Sequence, residues 1–151
     1  MKRLFAILIL SFSLFGYAQE FNVGYTAVGW QPGGILELGG GGYRGDTLLF
    51  GGEGMGGRGW GYGFAYLGYA LIHDAQRGFI VYPRLGFGGA KVGLSTGLAF
   101  DVGVGGDWVI TPPRGLVVGF RVGYIRFTNV VGSGAAYVRV TFGGGGFFPS
   151  R

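Results

Sequence analysis

The chain has 151 residues, 12 basic and 7 acidic, with one histidine, no cysteine and 37 glycines. Without cysteine it holds neither a disulfide framework nor a thiolate metal site or nucleophile. Its 14 Phe, 9 Tyr and 3 Trp are too many for a disordered glycine-rich chain, and its basic excess is too scattered for a nucleic-acid surface.

At the N-terminus, Lys2 and Arg3 precede an unbroken apolar run from Leu4 to Leu10, and Gly16-Tyr17-Ala18 precedes the first polar pair, Gln19 and Glu20. A positive start, an apolar stretch too short to span a bilayer and small residues at its end describe a secretory signal peptide cleaved after Ala18. Its loss leaves ten basic against seven acidic residues, a charge of +3. The expected division is a signal peptide over 1–18, a β-barrel domain over 19–142 and a short Gly-rich C-terminal tail over 143–151. No window after Ala18 is apolar for long enough to make a transmembrane helix. Glycine, about 1 kcal/mol per residue worse than alanine in a helix, recurs too often for helices to form.

The hydrophobic period is two. In Trp60-Gly-Tyr62-Gly-Phe64-Ala-Tyr66 one face is aromatic and the other small, and Leu94, Thr96, Leu98, Phe100, Val102 and Val104 alternate with Gly, Ser, Ala and Asp. Read in this way the chain gives eight strands, near 20–29, 35–42, 47–55, 59–71, 79–88, 92–105, 116–127 and 136–142. Between them lie WQPGG, YRGD, GGRG, IHDAQRG, GGAK, GDWVITPPRG and TNVVGSG, each with the Gly, Pro, Asn or Asp of a reversing chain. Pro83 has no N–H to give, so a bulge or local break is expected in the fifth strand.

Charge placement orients the strands. Glu37, Glu53, Arg84, Asp101, Arg121 and Arg139 each alternate with bulky apolar neighbours and share a face with small residues. In a soluble sandwich that second face would meet water and carry Thr, Ser, Lys and Glu, whereas here it is mostly Gly and Ala. A transmembrane barrel reverses the sides: bulky groups meet lipid, and small residues make room in a narrow lumen for three acids and three arginines that pair. Closure also pairs every backbone group that hydrocarbon would otherwise leave unsatisfied. Tyr25, Trp30, Trp60, Tyr62, Trp108 and Tyr124, near strand ends, are expected in interfacial aromatic girdles. The fold expected is therefore all-β, an antiparallel up-and-down transmembrane β-barrel of eight strands.

On this pattern the chain resembles the small eight-stranded outer-membrane barrel proteins of Gram-negative bacteria, the group containing the OmpA transmembrane domain and OmpX. The resemblance implies a monomer with both termini in the periplasm and a charged, largely plugged lumen. It also implies outer-membrane lipid and the barrel-insertion machinery as partners, the latter reading the aromatic-ended strand Tyr137-Val-Arg-Val-Thr-Phe142. The chain departs from that group in the residues after Phe142 and in the long connections IHDAQRG and GDWVITPPRG, which fall on the side where the group has short turns.

Gly93-Leu94-Ser95-Thr96-Gly97 matches the GxSxG pattern, but it lies within an alternating strand with no helix after it, so Ser95 with His73 is a poor nucleophile and base. The GxGxxG runs at Gly40, Gly52 and Gly54 likewise lack the helix that a dinucleotide site needs. A single His beside Asp74 is a polar turn and not a metal site. No catalytic residue, cofactor or metal is assigned. The function expected is an outer-membrane barrel with a structural, adhesive or surface role. The alternatives are a narrow ion or small-solute pore, a lipid-modifying barrel enzyme using Ser95 and His73, and a secreted Gly/aromatic surface fibre.

Overall fold

The computed structural model describes residues 19–129 and 134–149, and every regular element among them is a β-strand. The expected signal peptide, residues 1–18, lies outside the described residues. The strands are β1 (Gln19–Gln31), β2 (Ile35–Gly45), β3 (Leu48–Gly57), β4 (Trp60–Tyr69), β5 (Ile72–Asp74), β6 (Phe79–Val92), β7 (Ser95–Val109), β8 (Arg114–Thr128) and β9 (Gly134–Pro149). Sequence neighbours pair antiparallel, β4 pairs with β6, and β1 pairs with β9 to close the ring. Three-residue β5 continues the line of β4 along β6, so the barrel has eight strand positions in up-and-down order. The eight expected strands map onto these positions one for one.

The break expected at Pro83 appears in its partner. Between the pairs Gly68↔Arg84 and Ile72↔Val81, three residues face two, which bulges the chain between β4 and β5 opposite Pro83. On its other side β6 keeps register with β7 through Pro83↔Val104.

Two expected connections shrink, because Ile72–Asp74 pairs with β6 and Asp107, Trp108 and Val109 belong to β7. What remains is residues 75–78 and 110–113. These two and the β2–β3 turn share an end with both chain termini, called here the termini end. The turns after β1, β3 and β6, the end of β8 and the start of β9 lie at the far end. There Gly59 and Gly93 adopt left-handed φ of 81° and 59°, open to glycine at little cost, and Gly93 N–H donates to Gly59 C=O at 2.8 Å, tying two neighbouring turns together.

Residues 143–149, expected to start a tail, form the second half of β9. Gly143 to Pro149 pair with β1, and Gly143 to Gly146 also pair with β8. The alternation that marks a strand fades at four successive glycines, yet their backbone groups still complete the ladder. The strand passes Phe142 and ends at Phe147-Phe148-Pro149.

Sidedness follows the charges. Leu36, Leu38, Phe50, Leu85, Phe87, Val102, Phe120 and Val140 point outward, while Glu37, Glu53, Arg84, Asp101, Arg121 and Arg139 point inward. In β4 the expected sides are exchanged. Tyr62, Phe64 and Tyr66 are buried in the lumen and Gly63 and Ala65 face out. β4 carries no charged side chain to orient it; from the inside Tyr62, apolar in body and polar at the tip, donates to Glu37, and the Tyr66 ring lies 4.9 Å from the Arg84 guanidinium. Tyr25 and Tyr62 thus leave the expected girdle for the interior and Trp60 packs partly buried against the core, while Trp30, Trp108 and Tyr124 face outward.

The glycines accordingly fall into two kinds. A Cβ at inward Gly105 would sit 2.6 Å from Tyr82 Cζ, and at Gly86 2.6 Å from Phe64 Cδ2, so the interior requires glycine there. A Cβ at outward Gly54, Gly61, Gly63 or Gly89 would meet nothing closer than 3.5 Å.

Candidate functional site

The pleat of six strands delivers ionic groups to the axis. Glu37 comes from β2, Glu53 from β3, Arg84 from β6, Asp101 from β7, Arg121 from β8 and Arg139 from β9, none more than 4% exposed. Asp107 on β7 joins them with equal burial. Among the described residues the lumen therefore holds four carboxylates and three guanidinium groups.

The larger cluster centres on Glu53. Arg84 donates to both its oxygens, Nη1 to Oε2 at 3.0 Å and Nη2 to Oε1 at 3.1 Å, a fork that only arginine supplies. Arg84 Nε lies 3.1 Å from Asp101 Oδ2, a charge contact with too poor an angle for a hydrogen bond. The Tyr137 hydroxyl bridges the same groups, accepting from Arg84 Nη2 at 3.0 Å and donating to Asp101 Oδ1 at 2.6 Å. Arg139 links two acids, donating from Nε to Glu37 and from Nη1 to Glu53, while its Nη2 donates to the Tyr62 hydroxyl. Its guanidinium also stacks 3.6 Å from the Tyr137 ring centroid. Glu37 accepts further from Tyr62 at 2.6 Å and Gln31 Nε2 at 2.8 Å.

The smaller cluster lies toward the termini end. Arg121 grips Asp107 through both nitrogens, Nη1 to Oδ1 and Nη2 to Oδ2, each at 3.0 Å. Tyr43 donates to Asp107 at 2.8 Å and Tyr82 at 3.4 Å. Tyr25 joins the clusters, its ring 4.4 Å under the Arg121 guanidinium and its hydroxyl 2.5 Å from Glu53. Buried charges are tolerable only when paired and hydrogen-bonded. With acids outnumbering arginines, tyrosine hydroxyls supply further donors, Tyr62 to Glu37 and Tyr137 to Asp101 Oδ1, while Asp101 Oδ2 has only its charge contact with Arg84.

Toward the termini the lumen is filled by Phe21, Val23, Leu49, Ile80, Val109 and Phe147, with the Phe21 ring edge-on to Phe147 at 4.9 Å and to His73 at 5.7 Å. At the far end it opens into a cup of about 210 Å³ lined by Gln31, Ile35, Trp60, Tyr62, Val92 and Phe127. Along the axis run an apolar plug, an ionic lock and a shallow mouth.

All six sequence-assigned charges meet in this lumen, with Arg84, Arg139, Glu37, Glu53 and Asp101 in one cluster and Arg121 in the other. Ser95 and His73 do not meet: Ser95 opens β7 beside the far-end turn, and His73 packs against Phe21 near the termini. Asp74 accepts from the backbone N–H groups of Gln76 and Arg77 at 2.9 and 3.0 Å, which fixes a turn. Among the described residues no group of three His, Cys, Asp or Glu side chains is arranged around a metal position.

Sequence reading missed Asp107, placing it in a connection, although it has the parity of Asp101 and one more step of the alternation reaches it. It also left Tyr43, Tyr66, Tyr82 and Tyr137 out of the lumen; Tyr82 and Tyr137 share parity with Arg84 and Arg139, and Tyr43 with Glu37. No such signal exists for Tyr66, whose strand lacks a charge.

No protein-family model matches the chain, and neither a curated protein nor a solved structure matches it. What the strand pairing and the lumen define is a class of architecture, a closed antiparallel eight-stranded up-and-down β-barrel with an ionic interior.

Proposed function

We propose that the chain is an outer-membrane β-barrel with a structural, adhesive or surface role, working as a closed scaffold and not as a catalyst. The observation that carries this reading is its inverted polarity. Leu36, Leu38, Phe50, Leu67, Leu85 and Leu116 are each more than half exposed around the outside, while four acidic and three arginine side chains are buried and paired within. An apolar belt of that extent is costly in water and suits hydrocarbon, and a closed ring leaves no unpaired sheet edge there. Outward Trp30, Trp108 and Tyr124 near strand ends suit the interfaces that flank such a belt. On this reading outer-membrane lipid and the barrel-insertion machinery are its partners, it arrives by export behind a cleaved signal peptide, and it works as a monomer.

The mature chain refolded in detergent is expected to migrate differently on a gel before and after heating, and to fractionate with outer membranes in cells. A freely soluble mature protein overturns the reading. The apolar plug and the ionic lock both lie across the axis, so planar bilayers are expected to show no conductance steps. Discrete steps would replace the scaffold with the pore reading, for which the lumen charges would supply the selectivity.

A further inference from the structure

Charge is distributed unevenly between the two ends. Of the seven acids in the chain, four are in the lumen, and Glu20, Asp46 and Asp74 sit at the termini end. There Glu20 pairs with Arg44, Asp74 lies 3.7 Å from Arg77, and Arg114 stacks 4.2 Å from the Phe148 ring centroid. The far end carries Arg58 on the β3–β4 turn, Lys91 near the end of β6 and Arg126 near the end of β8, all exposed. No acid is there to pair with them. Arg58 and Lys91 flank the two turns that Gly93 ties to Gly59.

Directly below Lys91, on the outside of the barrel, runs a groove of about 780 Å³ floored by Gly61, Gly63 and Gly89 and edged by Thr96. Nothing in the barrel demands these glycines, because a Cβ at any of them finds ordinary space. Glycine within a strand is less favourable than alanine, so their absence of side chains is a cost without an internal return. Beyond the groove the outward wall continues as Leu85, Phe87, Leu98 and Phe100. Cations above a trough that leads onto an apolar wall match an amphiphile with an anionic head and an apolar tail. A nucleic acid or an acidic peptide would leave the wall uncovered.

We propose that the far rim is a docking surface for phosphate-bearing membrane lipid, with Arg58, Lys91 and Arg126 engaging headgroups and the glycine-floored groove holding an acyl chain. This rests on the membrane reading above, in which the end opposite the termini faces the more anionic leaflet. Attraction of a basic side chain to an anionic lipid surface corresponds to about a fivefold enrichment for each cation engaged.

The test uses the full mature chain in two single-tryptophan forms, one keeping Trp60 beside the groove (W30F, W108F) and one keeping Trp108 near the termini end (W30F, W60F). Each is refolded into neutral phosphocholine vesicles containing a minor amount of either a brominated phosphoglycerol lipid or a brominated phosphocholine lipid, and quenching is measured. Trp60 is expected to be quenched several-fold more effectively by the anionic lipid, Trp108 equally by both. The Trp60 excess is expected to disappear with R58Q/K91Q and to fall with Gly63→Val, which fills the groove at a site with room for the side chain. Equal quenching of Trp60 by both lipids, or an excess that survives R58Q/K91Q in a folded barrel, overturns the proposal while leaving the membrane reading intact. If neither lipid quenches either tryptophan, the membrane reading itself fails and this proposal with it.

Discussion

Arg121→Met isolates the energetics of the lumen, because the Arg121–Asp107 bridge shares no ion pair with the larger cluster. The substitution keeps a long apolar side chain in the space but removes both 3.0 Å bonds to Asp107, leaving that carboxylate with Tyr43 at 2.8 Å and the weak Tyr82 contact at 3.4 Å. Breaking a buried pair from one side costs about 3–5 kcal/mol, chiefly because the surviving charge is stranded. Against a total stability of roughly 5–15 kcal/mol, that loss is large. Adding Asp107→Asn removes the stranded charge while keeping an acceptor for Tyr43, so the double variant is expected to recover about 2 kcal/mol or more of the loss. The assay is urea unfolding of protein refolded in vesicles, followed by tryptophan fluorescence, with stability compared at matched slopes. A single variant within about 1 kcal/mol of the parent, or a double variant no better than the single, would refute the view that these two charges hold each other in place.

Three other outcomes follow from the same architecture. Gly105→Ala forces a Cβ to within 2.6 Å of Tyr82 and is expected to destabilise by about 1–3 kcal/mol, whereas outward Gly54→Ala is neutral or gains about 0.5–1 kcal/mol; paired urea midpoints decide. Leu85→Arg places a charge on the outward belt at a site that is 67% exposed; it is expected to cost about 2–4 kcal/mol in vesicles, whereas a barrel at home in water would tolerate it without measurable loss. Truncation after Phe142 removes the part of β9 that joins β1 to β8 near the termini, and heat-modifiable migration is expected to vanish; a truncated chain that still migrates as folded would show that the ring closes without it.

Much of this was readable in the residues because two simple patterns coincide. Alternation with a period of two marks strands whatever their surroundings, and six charges at consistent parity name the inward face of β2, β3, β6, β7, β8 and β9. Those patterns are local, and they establish an eight-stranded barrel with Glu37, Glu53, Arg84, Asp101, Arg121 and Arg139 along its axis. The features that escaped are the ones for which local pattern has no sign. β4 presents aromatics on one face and Gly or Ala on the other, and either face suits either side until Glu37 supplies an acceptor for the Tyr62 hydroxyl and Arg84 offers its charge to the Tyr66 ring. Four glycines in a row after Phe142 carry no side-chain pattern at all, and only the unpaired edges of β1 and β8 give them a strand to complete. The division of glycines into those the interior compels and those it leaves free is likewise absent from composition, because it depends on whether Tyr82, Tyr137 or open space faces each missing Cβ across the folded ring.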